Sequence, residues 1–249
     1  MHHKKKVTII MPAYNAAKTL EKTYKAIPKG SYDEIILVDD KSKDETVKVA
    51  KKLNLIVVQH EKNRGYGGNQ KTCYDLALKR GADVVVMLHP DYQYDPSIVP
   101  NIALPILQNQ ADVVLASRFL RDPLKGGPIK GGMPVYKYIA NKMLTALENF
   151  ILGTYFSEFH TGYRAFSKKA LQSVKYDLNS DDFIFDNEIL VQMVIRKLRF
   201  KEIPVETKYF TEASSINFLR SSKYGLEILK TLAKYILHKN KIMRFKQFV

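Results

Sequence analysis

Residues 34–46 are EIILVDDKSKDET. A β-rich apolar run, Glu34 to Asp39, ends in two adjacent carboxylates, Asp39 and Asp40, and a helical pattern opens at Asp44. Ser42 and Glu45 have the spacing of a capping box, in which the two side chains satisfy backbone N–H groups at a helix start. A strand passing through a polar turn into a helix is half of a βαβ unit, so the fold depends on whether that unit recurs.

It recurs. Val7 to Met11, Leu55 to Gln59, Val84 to Leu88 and Val113 to Ser117 are strand-like. Ala17 to Ala26, Asp44 to Lys52, Gly68 to Lys79 and Pro96 to Gln108 have helical periodicity. The alternation predicts an α/β protein with a mostly parallel central sheet flanked by helices. Ligands of such sheets bind beyond the carboxyl ends of the strands. Four polar segments collect there: PAYN (Pro12 to Asn15), VDDKS (Val38 to Ser42), NRGYGG (Asn63 to Gly68) and HPDYQ (His89 to Gln93).

Further along, Phe119 to Met133 is a glycine- and proline-rich loop long enough for an active-site element. Lys137 to Gly153 forms an amphipathic helical pattern. HTGYRAFSKKAL (His160 to Leu171) predicts a loop, a strand and a helix start, and Asn187 to Lys197 another helix. In Lys223 to Lys241, Leu229, Leu232, Ala233, Ile236 and Leu237 share one helical face, while Lys230, Lys234, His238 and Lys241 line another.

Composition narrows the function classes. With 249 residues, 45% of them hydrophobic, the chain has enough material for one substantial domain. The single cysteine, Cys73, excludes an intramolecular disulfide and a cysteine-based zinc cluster, and a reducing, cytoplasmic setting is expected. The segment nearest to a membrane span, IANKMLTALENFILGTYF (139–156), is interrupted by Asn141, Lys142, Glu148 and Asn149. The formal net charge of +15 calls for an anionic partner, and eight Lys/Arg against one Glu lie between Arg220 and Val249. Nucleic acid is disfavoured as that partner, because basic residues interleaved with stacking aromatics are missing, as is any helix-turn-helix or finger signature. A dinucleotide fold is disfavoured too: the first βα turn, MPAYNAAKTL, has no glycine, and Gly65 and Gly67 follow the third strand without a third partner.

Taken in order, TIIMPAYNAAKTL, EIILVDDKSKDET, NRGYGGNQ, PDYQYDP, ASRF and HTGYRAFS resemble a family 2 glycosyltransferase of the GT-A fold, and within it the dolichyl-phosphate mannose and glucose synthases. The resemblance covers about the first 220 residues, which sets an expected catalytic domain at 1–222 and a basic amphipathic tail at 223–249. It implies that Pro12, Ala13, Tyr14, Asn15, Asp39 and Asp40 hold the base and ribose of a nucleoside diphosphate sugar. Asn63, Gly65 and Gly67 would close over that nucleotide. It also implies a divalent metal, Mg²⁺ or Mn²⁺, on the donor diphosphate at the end of the fourth strand. There the family's Asp-x-Asp is replaced by His89-Pro90-Asp91, with Gln93 retained. Asp91, Gln93 and His89 are therefore the expected metal residues, and imidazole suits Mn²⁺ better than Mg²⁺.

The implied reaction is inverting transfer of a hexose, from a UDP- or GDP-linked donor, to a polyprenyl or dolichyl phosphate or another lipid-linked acceptor. A glycan hydroxyl as acceptor and a non-catalytic nucleotide-sugar binder remain the alternatives. A phosphate acceptor is already an anion and needs cations, for which Arg118, Lys130, Lys137 and Arg164 are candidates. A hydroxyl needs a general base, for which Asp186 and Glu188 in FIFDNEIL are candidates. The basic tail predicts peripheral attachment at the inner face of the cell membrane.

Overall fold

In a computed structural model, residues 4–209 and 218–249 are described. Seven strands form one sheet in the order β3-β2-β1-β4-β6-β5-β7. Strands β1 (Val7–Ala13), β2 (Glu34–Asp39), β3 (Ile56–Gln59) and β4 (Val84–Met87) run parallel. β5 (Val113–Ser117) and β7 (Phe200–Pro204) are parallel to each other, and β6 (Arg164–Ser167) lies antiparallel between β4 and β5. The mostly parallel sheet predicted from the alternation is present. β7 was not predicted: FKEIP carries two charges and a proline, a pattern suited to the edge position it occupies.

The period-two alternation of the strands divides the core. Ile10, Ile36, Val85, Val113 and Phe166 face one side of the sheet, while Ile9, Leu37, Val86, Val114 and Ala165 face the other. Helices α1 (Leu20–Ala26), α2 (Thr46–Lys52) and α4 (Val99–Leu107) cover the second side with Leu20, Ala50 and Ile102. Helices α3 (Gly65–Lys79), α6 (Lys168–Gln172), α7 (Phe185–Ile195) and α8 (Phe218–Lys239) cover the first. Each large aliphatic side chain so buried contributes roughly 1.5–3 kcal/mol. α5 (Val135–Leu152) joins the first side through Leu152, which enters the core at its end, and through Leu144 and Ile151, which pack partly buried against it.

Two boundaries differ from expectation for identifiable reasons. The Ser42–Glu45 capping box does not form, because Ser42 Oγ accepts from the Asn15 backbone N–H at 2.8 Å and so ties the end of β1 to the end of β2. α2 starts at Thr46 instead. Residue 222, the expected end of the catalytic domain, falls inside α8, whose Ile228, Leu232 and Tyr235 are buried in the main core. Among the described residues, no helix is long and apolar enough to cross a membrane.

Candidate active site

The carboxyl ends of β1, β2 and β4 open into a cavity of 660 Å³. One wall is Pro12, Ala13, Tyr14 and Asn15, continued by Asp40, Asn63 and Gly65. The opposite wall comes from Asp182 and Phe183 and from Arg220, Lys223, Tyr224 and Glu227 of α8. Lys223 donates to Asp182 at 2.7 Å, and that cation holds the Asp182 carboxyl below its usual range. The tail read as a separate extension therefore walls this cavity.

The acidic pair divides its work. Asp40 is 3% exposed and holds the next loop: Oδ1 accepts from His60 Nδ1 at 2.7 Å and Arg64 N at 2.8 Å, and Oδ2 from Gly65 N at 3.0 Å. Asp39 is fully buried. Its Oδ2 accepts from Ser42 N and Gln59 Nε2, and its Oδ1 has no hydrogen-bond partner among the described residues. A buried carboxylate oxygen left unpaired is costly, and Asp39, unlike Asp40, is absent from the cavity wall. Asn69, which sequence reading passed over, spans the same corner by donating to Val38 O at 3.0 Å.

The glycines of NRGYGG are also required by packing. α3 begins at Gly65, three residues earlier than its periodicity suggested. A Cβ at Gly67 would stand 2.4 Å from Ser180 O, and one at Gly65 2.6 Å from Asp181 O. The close approach is to the backbone of 180–181; Gly65 also lines the cavity with Asn63, whereas Gly67 is absent from its wall. Gly67→Ala is expected to destabilise the protein by about 1–3 kcal/mol through overpacking, read by denaturant melts.

A second cavity, of 230 Å³, adjoins the first, and Tyr66, His89, Asp91, Phe183 and Tyr224 line both. Asp91 Oδ1 accepts from Gln93 N at 3.1 Å, closing a turn in which Tyr92 adopts φ 58°. Gln93 faces the second cavity only. His89 lies against Tyr66, with ring centroids 5.5 Å apart, and its Nε2 is 3.1 Å from the Tyr66 hydroxyl. That hydroxyl donates to Asp186 Oδ2 at 2.7 Å. Its one proton being so used, the phenol oxygen is left to accept from His89 Nε2–H. Burial, reinforced by the Asp186 carboxylate, holds the Tyr66 phenol well above its ordinary pKa.

The second cavity also carries Arg118 and Lys137. Arg118 is 8% exposed. It forms a buried ion pair with Glu158, Nε to Oε1 at 2.7 Å, while NH1 donates to the Tyr209 hydroxyl at 2.6 Å. Burial, and then the charge of Arg118, lower the Lys137 pKa. His160 and Tyr224 meet in the same wall, Nδ1 to hydroxyl at 3.2 Å.

Three sequence-based candidates lie elsewhere. Arg164 is fully buried. Its guanidinium donates to Thr161 O, Phe159 O and Asp186 O and stands 3.4 Å from Asp186 Oδ1, so it braces the floor instead of meeting a phosphate. Glu188 is on the far side of α7, where it accepts from Ser180 N at 2.7 Å. Lys130 is exposed in a loop pinned by Gly127 N to Asp122 O and Tyr209 N to Gly131 O, outside both cavities. Asp186 does line the second cavity, with both oxygens engaged: Oδ1 by Gln70 Nε2 at 3.0 Å and Oδ2 by Tyr66.

Comparison with known proteins follows the same lines. The description "Glycosyl transferase family 2" matches residues 8–175. The chain is 30% identical over 247 residues to the UDP-N-acetylglucosamine–dolichyl-phosphate N-acetylglucosaminyltransferase of Methanococcus voltae, covering 91% of this chain and 96% of that one. It is 25% identical to the dolichol-phosphate mannosyltransferase of Pyrococcus furiosus, over 97% of this chain and 64% of that one. Glucosyl-3-phosphoglycerate synthase of Mycobacterium tuberculosis, crystallised with Mn²⁺, UDP-glucose and phosphoglyceric acid, has the same fold. The TM-score is 0.69 at 17% identity, covering 92% of this chain and 79% of that one. The chain belongs to glycosyl transferase family 2, has the GT-A fold, and is a glycosyltransferase.

Proposed function

We propose that the protein transfers a sugar from a nucleoside diphosphate to the phosphate of a polyprenyl or dolichyl lipid, with inversion, at the inner face of the cell membrane. One observation carries the choice of acceptor. The smaller cavity meets the larger at Asp91 and presents Lys137 beside Arg118, whose guanidinium is paired with Glu158. Its other acidic residue, Asp186, has both oxygens committed to Tyr66 and Gln70. Such a site binds an anion that is already nucleophilic better than it deprotonates a hydroxyl. The names of the Methanococcus and Pyrococcus relatives support the same acceptor and make UDP-N-acetylglucosamine the first donor to try.

In this reading the larger cavity takes the donor. Tyr14, Asn15 and Asp40 line the base and ribose end, backed by the buried Asp39, and Arg220 and Lys223 face the diphosphate. Asp91 fits a divalent ion held by one carboxylate, water and substrate phosphates, although no cluster of three His, Cys, Asp or Glu exists among the described residues. Mg²⁺ or Mn²⁺ bound there would offset negative charge on the departing diphosphate. His89 is assigned a positioning role through Tyr66.

The test is incubation with radiolabelled UDP-N-acetylglucosamine, UDP-glucose and GDP-mannose, either metal and a short prenyl phosphate. Lipid-soluble label is expected with one donor, and its absence with all three rejects the proposal. Glu188 provides an internal check. Burial raises its pKa, so its carboxylate costs stability as pH rises through the interval between the ordinary and the raised value. Glu188→Gln should leave turnover within roughly threefold. It should melt no lower than wild type at about pH 8.

A further inference from the structure

α5 is built inside out. Val135, Tyr136, Ile139, Met143, Leu147 and Phe150 are from 36% to 87% exposed and follow one another at helical spacing along the solvent side. Lys142 is the one exposed charged residue on the helix. The polar residues point inward: Glu148 is fully buried against His160 and Asn187, and Asn149 bonds the backbone of Phe156. An ordinary surface helix has the reverse arrangement.

α8 runs beside it in the same sense. A Cβ at Gly225 would sit 3.9 Å from Leu144 Cδ1, and Leu152 and Tyr235 share the wall of a groove farther along. The outer face of α8 is also apolar, with Leu226, Leu229 and Ile236 between 40% and 67% exposed. Lys230 and Lys239 are exposed along this helix, and its acid, Glu227, lies 3.7 Å from Lys223, which walls the larger cavity.

We infer that the joined outer faces of α5 and α8 are a bilayer-docking surface that lays the mouth of the smaller cavity against anionic lipid. This rests on the lipid-phosphate reading of that cavity, to which α5 contributes Lys137, Ala140 and Asn141. The charges select lipid over a second copy of the chain. Two such faces brought together would set lysines against lysines, whereas anionic headgroups complement them. Neither helix is long and apolar enough to cross the bilayer, so the pair lies in the interface.

The experiment is co-sedimentation of the full chain with phosphatidylcholine vesicles, with and without phosphatidylglycerol. Salt-sensitive binding to the anionic vesicles is expected. It should weaken at least about tenfold in the doubly substituted Met143→Glu, Phe150→Glu protein. Transfer to a water-soluble short-chain prenyl phosphate should be unchanged in that variant. Failure of the wild type to sediment, or equal sedimentation of the variant, overturns the docking surface. So does a wild-type dimer that the substitutions split without any vesicle binding. Vesicle binding without transfer to any prenyl phosphate would reject the acceptor and leave the docking surface standing.

Discussion

Asp91→Asn is expected to lower turnover by about a thousandfold, equivalent to roughly 4 kcal/mol of lost transition-state stabilisation. Asp91 is the carboxylate shared by both cavities, at the point where donor and acceptor would meet. The amide retains the Oδ1 acceptor for Gln93 N–H and hence the turn, so folding should be preserved while the negative charge is lost. Two readouts separate the effects. Melting temperature should stay near wild type, and Mn²⁺ binding in the presence of UDP, followed by electron paramagnetic resonance, should weaken with turnover. Full activity in the Asn variant would remove Asp91 from the chemistry.

Arg118→Ala should have the largest effect on stability. Glu158 is fully buried and paired with Arg118, and removing the guanidinium leaves a carboxylate without a counter-charge, a cost of about 3–5 kcal/mol. The doubly substituted Arg118→Ala, Glu158→Ala protein removes both charges and should recover part of that loss in denaturant melts. Transfer to a prenyl phosphate should not recover, since one of the two cations lining the second cavity, Arg118 beside Lys137, is still missing. Restored transfer in the double variant would make Arg118 a structural residue only.

β1, β4 and β5 were legible in the sequence because each is a short, wholly buried apolar run, and β2 and β5 lie where the pattern put them, whereas the exposed edge strand β7 gave no such run. α3 was placed three residues late because the capture of Gly65 N–H by Asp40, 25 residues earlier, overrides local helix preference. The donor-side residues Pro12 to Asn15 and Asp40 came from motif order, and the structure brings them to one cavity. Tyr66 was visible only as an unremarked position inside NRGYGG, because its partner Asp186 is 120 residues away. Glu158, His160 and Tyr224 were missed for the same reason, their contacts crossing 40 and 64 residues. On α5 the periodicity was readable but its sense was not. A helical pattern reveals two faces, and which one turns inward here depends on His160 and Asn187 waiting for Glu148.

The path of α8 sets a limit on how the protein can be shortened or joined to another. Because Lys223, Tyr224 and Glu227 wall the larger cavity and Ile228 and Leu232 fill the core, a version ending at residue 222 keeps the recognisable motifs but loses that stretch of the wall and the core contacts behind it. Phe248, beyond the helix, is buried in the same core, so trimming the residues after Lys239 is also expected to cost stability. A tag or fused domain is better tolerated on the exposed loop around Lys125 than anywhere along the final helix.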